Sequence, residues 1–216
     1  MKRKSLLFVW ACMGLVCLMS ACKTSVKSKE WKLVWVEDFD QKNSFDESVW
    51  TKIPRGTSDW NNYMSYYDSC YAMQDGNLIL RGIANHTQKN DTAPYLTGGV
   101  YTKGKKLFTG GRVEVCARLQ AAKGAWPAIW MLPEKAEWPK GGEIDIMERL
   151  NHDRIAYQTT HSYYTHILGI KDNPPHGGIN KINPEEYNIY SVDIYPDSLV
   201  FACLLYTSPS PRDRTR

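Results

Sequence analysis

Short apolar runs of period two recur along the chain, broken every few residues by Gly, Pro, Asn or Asp. Gly111 to Leu119 sets Val113, Val115 and Ala117 against polar neighbours, the pattern of a strand with one buried face. Trp31 to Phe39 alternates in the same way and predicts a first strand, with Trp35 and Trp50 as core residues. Asp46 is placed to cap a short turn between Phe45 and Trp50, and Asp59 to Met64 read as a loop rich in aromatic and amide groups. Gln74-Asp75-Gly76-Asn77 predicts a turn leading into a strand at Leu78-Ile79-Leu80, and residues 85–94 predict a polar surface loop. Further strands are expected at Tyr95 to Lys106, 126–132, 142–149, 155–162, 187–195 and 198–201. No long segment carries a helical period and no unit of 20–50 residues repeats. Many short strands separated by turn residues predict an all-β sandwich.

One stretch breaks the simple alternation. Gly-Gly-Glu-Ile-Asp-Ile-Met-Glu-Arg, residues 141–149, holds three carboxylates, Glu143, Asp145 and Glu148. On a helix, Glu143 and Glu148 would lie about 140° apart and could not meet at one bond. On a strand, Glu143 and Asp145 share a face, but Glu148 falls on the other, because five is odd. One extra residue, a β-bulge near Ile146 or Met147, brings all three to one side and leaves the Ile face for the core. Clustered carboxylates suit glycoside hydrolysis, in which one acid protonates the leaving oxygen and a second attacks or activates water. The competing reading is a solvated strand face. Trp126, Trp130 and Trp138 just upstream, and the lack of interleaved basic partners, favour chemistry.

The run Trp-Pro-Ala-Ile-Trp-Met-Leu-Pro (126–133), then Trp138-Pro139 and Gly-Glu-Ile-Asp-Ile-Met-Glu (142–148), resembles glycoside hydrolase family 16 and its laminarinase-like branch. The likeness runs from about Trp31 to Phe201. It implies a β-jelly-roll of two stacked antiparallel sheets with a concave cleft, and an endo-β-1,3- or β-1,3/1,4-glucanase that retains configuration. By the same likeness Glu143 is the nucleophile, Glu148 the general acid/base and Asp145 the carboxylate assisting between them. Crowding of like charges then holds a proton on one member, taken here to be Glu148. Trp126 and Trp138 match sugar-stacking positions; Trp130 fits stacking or core equally well.

The loop with Trp60, Asn61 and Asn62 matches a segment in which laminarinases follow the paired asparagines with glutamate; here Tyr63 and Met64 stand there. Asn61 and Asn62 suit reading sugar hydroxyls, or only shape a turn. Many laminarinases carry arginine where Gly99 stands, and its loss is expected to open one end of the cleft. That makes mixed-linkage glucan as attractive as β-1,3-glucan. His161 matches a position near the leaving group, or is a structural strand histidine. A galactan such as agar or porphyran is an alternative substrate, and a non-catalytic glycan-binding protein an alternative role.

The formal charge of +4 comes from the ends: residues 23–201 carry 21 Lys and Arg against 22 Asp and Glu. A nearly neutral body gives no electrostatic reason for nucleic acid and fits a polysaccharide partner. Residues 1–22 read as a signal peptide, a basic Met-Lys-Arg-Lys followed by an apolar run too short to span a bilayer comfortably. Leu18-Met19-Ser20-Ala21-Cys22 resembles a bacterial lipobox, which implies a lipid anchor at Cys22, a polar tether over 23–30 and a location on the cell envelope outside the cytoplasm. Cys70 and Cys116 are either two buried thiols or a disulfide. Histidines and cysteines show no metal-ligand spacing, and the carboxylate mechanism needs no cofactor. Some relatives carry a structural calcium, which this sequence does not reveal. The domain is expected over 31–201. The Pro- and Arg-rich residues 202–216 lack a strand period and read as a non-native tail on an incomplete domain.

Overall fold

The computed structural model describes residues 31–41 and 43–205. The signal segment, Cys22, the tether and the tail beyond Leu205 lie outside the described residues. Among the described residues, the body from Leu33 onward is built from thirteen short strands, and every pairing between them is antiparallel. They are β1 (Thr51–Lys52), β2 (Tyr71–Gln74), β3 (Asn77–Leu80), β4 (Gly82–Ala84), β5 (Tyr95–Thr97), β6 (Val100–Tyr101) and β7 (Gly111–Ala117). The second half adds β8 (Ala128–Met131), β9 (Glu143–Glu148), β10 (Ile155–His161), β11 (Gly177–Lys181), β12 (Asn188–Ile194) and β13 (Leu199–Leu205). Two sheets make the sandwich, one ordered β11-β10-β9-β8 and the other β13-β12-β7; three two-stranded ribbons complete the all-β jelly-roll.

Alternation decides what the two sheets bury. Along β12, Tyr190 and Val192 face inward, and their partners Cys203, Val113 and Phe201 follow them into the core. From the facing sheet come Ile146, Met147 and Ala156, all within a percent or so of complete burial. The expected bulge is present in β9. Ile146 and Met147 together stand opposite the single residue Gln158 of β10, and on the other side the register against β8 shifts between Ile129 and Trp130. Both bulge residues send apolar side chains into the core.

A bulge leaves ladder groups unpaired, and an unpaired carbonyl in this core would be costly. Gln158 takes the place of the missing partner: its Nε2 donates to the Ile146 carbonyl at 2.9 Å, and its Oε1 accepts from Asn180 Nδ2 of β11 at 2.6 Å. Three strands are thereby tied through one buried amide.

Several sequence expectations need correction. Residues 31–40 form no strand; Leu33 is 68% exposed, and Phe39 takes a positive φ of 52°. Trp35 and Trp50 are half-buried in a separate aromatic cluster with Phe39 and Phe108, outside the sandwich core. The single strand expected over Tyr95 to Lys106 divides at Gly98-Gly99 into β5, which pairs with β4, and β6, which pairs with β1. β11 was hidden in a Gly-Gly-Ile-Asn-Lys run of turn-like composition. β13 continues through Leu205, four residues past the expected end, with Ala202, Cys203 and Leu204 in register on β12. No disulfide joins Cys70 to Cys116. The Asp46 turn matches expectation, with Asp46 Oδ1 accepting from the Ser48 N–H at 2.8 Å. So does the β2–β3 hairpin, whose Asp75 and Gly76 both take positive φ.

Replacing Gln158 by Ala strands the Ile146 carbonyl and is expected to lower stability by about 1–3 kcal/mol. Urea denaturation would register a lower midpoint at unchanged slope; a midpoint equal to that of the native chain would remove Gln158 from this role.

Candidate active site

The extra residue in β9 puts Glu143, Asp145 and Glu148 on the face away from the core. Register fixes their neighbours: His161 stands opposite Glu143, Thr159 and Trp130 flank Asp145, and Tyr157 and Ala128 flank Glu148. Paired residues share a face, so these side chains form one row around the acids. The acids line an open surface. A depression of about 380 Å³ bounded by Arg149, His152, Arg154 and Glu185, among others, forms at the β9–β10 turn and holds none of them.

The three carboxylates have unlike surroundings. Asp145 is only 3% exposed, with a glutamate on either side. Burial, then the charges of Glu148 and Glu143, push its pKa up to about 8. Asp145 is thus disposed to hold a proton at neutral pH, because the middle member is the one removed from water. Asp145 Oδ2 is 3.2 Å from His161 Nε2, yet no donor in the protein is aligned on that oxygen.

Each flanking glutamate accepts an indole N–H. Trp126 Nε1 donates to Glu148 Oε1 at 2.7 Å, and Trp138 Nε1 donates to Glu143 Oε2 at 2.6 Å. Both tryptophans are close to half exposed, which leaves ring surface free for a sugar beside the bonded edge. Trp130 meets Trp60 edge to face, ring centres 5.0 Å apart. The 56–64 loop thus joins the β8 side of the row through Trp60. Its asparagines differ: Asn61 Oδ1 accepts from the Ser58 N–H and shapes the turn, whereas Asn62 Oδ1 is buried without a donor.

At Gly99 a Cβ would lie 3.0 Å from Ile53 Cδ1 and from the thioether of Met64, a tight contact with the ends of two flexible side chains. Met64 is held in turn by its backbone bridge to Thr97 and by Arg55 Nε donating to its carbonyl.

Sequence reasoning missed Gln158 and His166. His166 sits on a five-residue π-helical turn, Tyr163–Ile167, and its ring centre is 4.4 Å from that of Trp138. No periodic signal marks one turn of helix between strands. Among the described residues, no group of three or more His, Cys, Asp or Glu side chains is arranged to hold a metal.

Comparison with known proteins places this geometry in context. A family model described as an XgeA-like, catalytic GH16 domain matches residues 72–178, a span that includes all three acids. The chain is 37% identical over 183 residues to a keratan-sulfate endo-1,4-beta-galactosidase of Sphingobacterium multivorum, covering 82% of this chain and 42% of that protein. It is 30% identical over 211 residues to a beta-glucanase of Rhodothermus marinus, covering 91% of this chain and 72% of that protein. The X-ray structure of the laminarinase from Rhodothermus marinus superposes with a TM-score of 0.70 at 29% identity, covering 86% of this chain and 77% of that one. The chain thus spans less than half the length of the first of these relatives.

The raised Asp145 pKa has a sign that can be worked out. An unfolded aspartate loses its proton near pH 4, whereas the native one keeps it to about pH 8. Between those values the native state binds the extra proton, so this residue's contribution to stability falls as pH rises and levels off above about 8. An asparagine in its place mimics the neutral form. Relative to the Asp145→Asn variant, the native chain is expected to lose on the order of 5 kcal/mol between pH 4 and pH 8.5. Denaturation curves at several pH values test this; a difference between the two proteins that stays constant with pH contradicts it.

Proposed function

The chain belongs to glycoside hydrolase family 16, and on that premise we propose that it is a retaining endo-β-glucanase acting on β-1,3-glucan or mixed-linkage β-1,3/1,4-glucan. The observation that carries the reading is the bulged β9, which sets two indole-bonded glutamates on either side of a buried aspartic acid.

In the first step a Glu143 carboxylate oxygen bonds to the anomeric carbon. The glycosidic C–O bond breaks as Glu148 gives its proton to the departing oxygen. The product is a neutral glycosyl ester on Glu143 and an ionised Glu148. In the second step Glu148 takes a proton from water, the water oxygen bonds to the anomeric carbon, and the ester C–O bond breaks to return Glu143 as a carboxylate. Asp145, holding its own proton, removes one of three negative charges from the cluster, so two glutamates can work where three carboxylates would repel. Trp126 and Trp138 orient the two glutamates through their N–H groups and offer ring faces to the sugar.

A second reading keeps the mechanism and changes the sugar. The relative with 37% identity is named for a β-galactosidase activity, and a galactan substrate is supported on that ground. Gluco- and galacto-configured rings differ in the direction of one hydroxyl, a difference that side-chain contacts at the cleft must read. We further propose, on the lipobox-like residues 18–22, that Cys22 carries a lipid and holds the enzyme on the cell envelope.

Products released from mixed-linkage glucan, laminarin, agarose and keratan sulfate distinguish the readings, and glucan oligosaccharides are expected. Glu143→Gln should abolish their release. Glu148→Gln should lower polysaccharide turnover by roughly 100- to 10,000-fold, yet spare the first step on an aryl glycoside whose leaving group needs no proton. Products from agarose or keratan sulfate alone would transfer the assignment to the galactan reading; binding without products would mark a glycan-binding protein. For the anchor, Cys22→Ala should move the protein from the membrane to the soluble fraction, and retention in the membrane would rule the lipid out.

A further inference from the structure

We infer that His166 is a positioning residue for the proposed reaction: it sets the indole of Trp138 and, through it, the carboxylate of Glu143. The inference rests on the reading of Glu143 as nucleophile.

Trp138 lies outside any strand, in the Pro-containing segment between β8 and β9, and 48% of it is exposed. Its N–H meets Glu143 Oε2 at 2.6 Å. The firm contact on its ring is the His166 imidazole, centre to centre 4.4 Å at an angle of 61°. No hydrogen bond of the imidazole accounts for its place, since none is formed by its ring nitrogens among the described residues. The ring is held from the backbone side.

That backbone is well fastened. The Ser162 N–H donates to Thr165 Oγ1 at 2.9 Å while the Thr165 N–H donates to Ser162 Oγ at 3.2 Å, a reciprocal capping box. Thr165 is buried, and the His166 N–H donates to the Ser162 carbonyl at 2.8 Å. Ser162 directly follows His161, the residue paired with Glu143 across β9 and β10. A closed path therefore runs from Glu143 across the ladder to His161, along the capped turn to His166, onto Trp138, and back to Glu143 Oε2. A hydrogen bond pinned at Oε2 directs the other oxygen of Glu143 toward the sugar. Loss of that orientation acts on the attack itself rather than on substrate capture.

The experiment uses the full chain with the polysaccharide it cleaves, and an activated aryl β-glycoside as a second substrate. His166→Ala is expected to lower kcat about tenfold with KM changed less than twofold, as removal of orientation felt in the transition state requires. His166→Phe, which keeps a ring against the indole, should restore most of kcat. Trp138→Phe keeps the ring and loses the N–H; in that background His166→Ala should add little, a non-additive cycle. Melting temperatures within a degree or two of the native value exclude a folding defect. A raised KM at unchanged kcat without rescue by Phe would make His166 a substrate-binding residue and overturn the proposal. Multiplicative effects in the double variant, or unaltered kinetics in His166→Ala, would overturn it also. Glu143→Gln run in parallel separates the two levels: activity surviving there refutes the nucleophile assignment, whereas an inactive Glu143→Gln with uncoupled His166 and Trp138 refutes only the positioning role.

Discussion

The site depends on the pairing of one buried amide with one displaced carbonyl. Were β9 a regular strand without its bulge, Glu148 would point into the space that Met147 fills, and a carboxylate there would sit in the core cluster with Ala156 and Val192. With it, the acid is outside, but the Ile146 carbonyl has no ladder partner. Gln158 meets that need, and Asn180 keeps the glutamine amide from turning over. Neither amide touches the reacting groups. Both are nevertheless conditions of having three acids on one side, because the alternative register leaves either a buried charge or an unpaired carbonyl.

The same geometry sets the division of charge. Three carboxylates so close along one strand cannot all be ionised cheaply, and the strand decides which one gives way. Asp145 has the shortest side chain and lies between its neighbours beneath Trp130 and Thr159 in the register, so it is the least hydrated. Its neutrality leaves the outer two free to differ in role. Indole N–H donors complete the arrangement: they bond the carboxylates while carrying no charge, so they orient both glutamates without fixing a strong ion pair that the reaction would have to break.

Much of this was legible in the sequence because it follows from parity. Counting from Glu143 to Glu148 demands a bulge, and the apolar pair Ile146-Met147 marks where it falls. Strands with clean alternation, β7 and β12 above all, were equally plain. What escaped detection has physical reasons. Residues 31–40 alternate in type but find no strand to pair with, so Leu33 stays in water. β11 is nearly all Gly and polar residues and becomes a strand only because β10 offers an edge. Gln158 carries no mark of its task, since a buried glutamine in a strand has meaning only once the opposite bulge is known. The raised pKa of Asp145 required burial, which spacing does not give. His166 required a contact with Trp138, distant in sequence, brought about by a single helical turn.

The close space beside Gly99 bears on how this chain's lineage could change. A side chain at that position meets the thioether of Met64 and the end of Ile53 at its first carbon, 3.0 Å away. Met64 is itself bound through its backbone to Thr97 and Arg55. Residue 99 and residue 64 therefore share one space: a side chain added at 99 fits only as far as the ends of Met64 and Ile53 move aside by a few tenths of an ångström, and a smaller residue at 64 eases that entry.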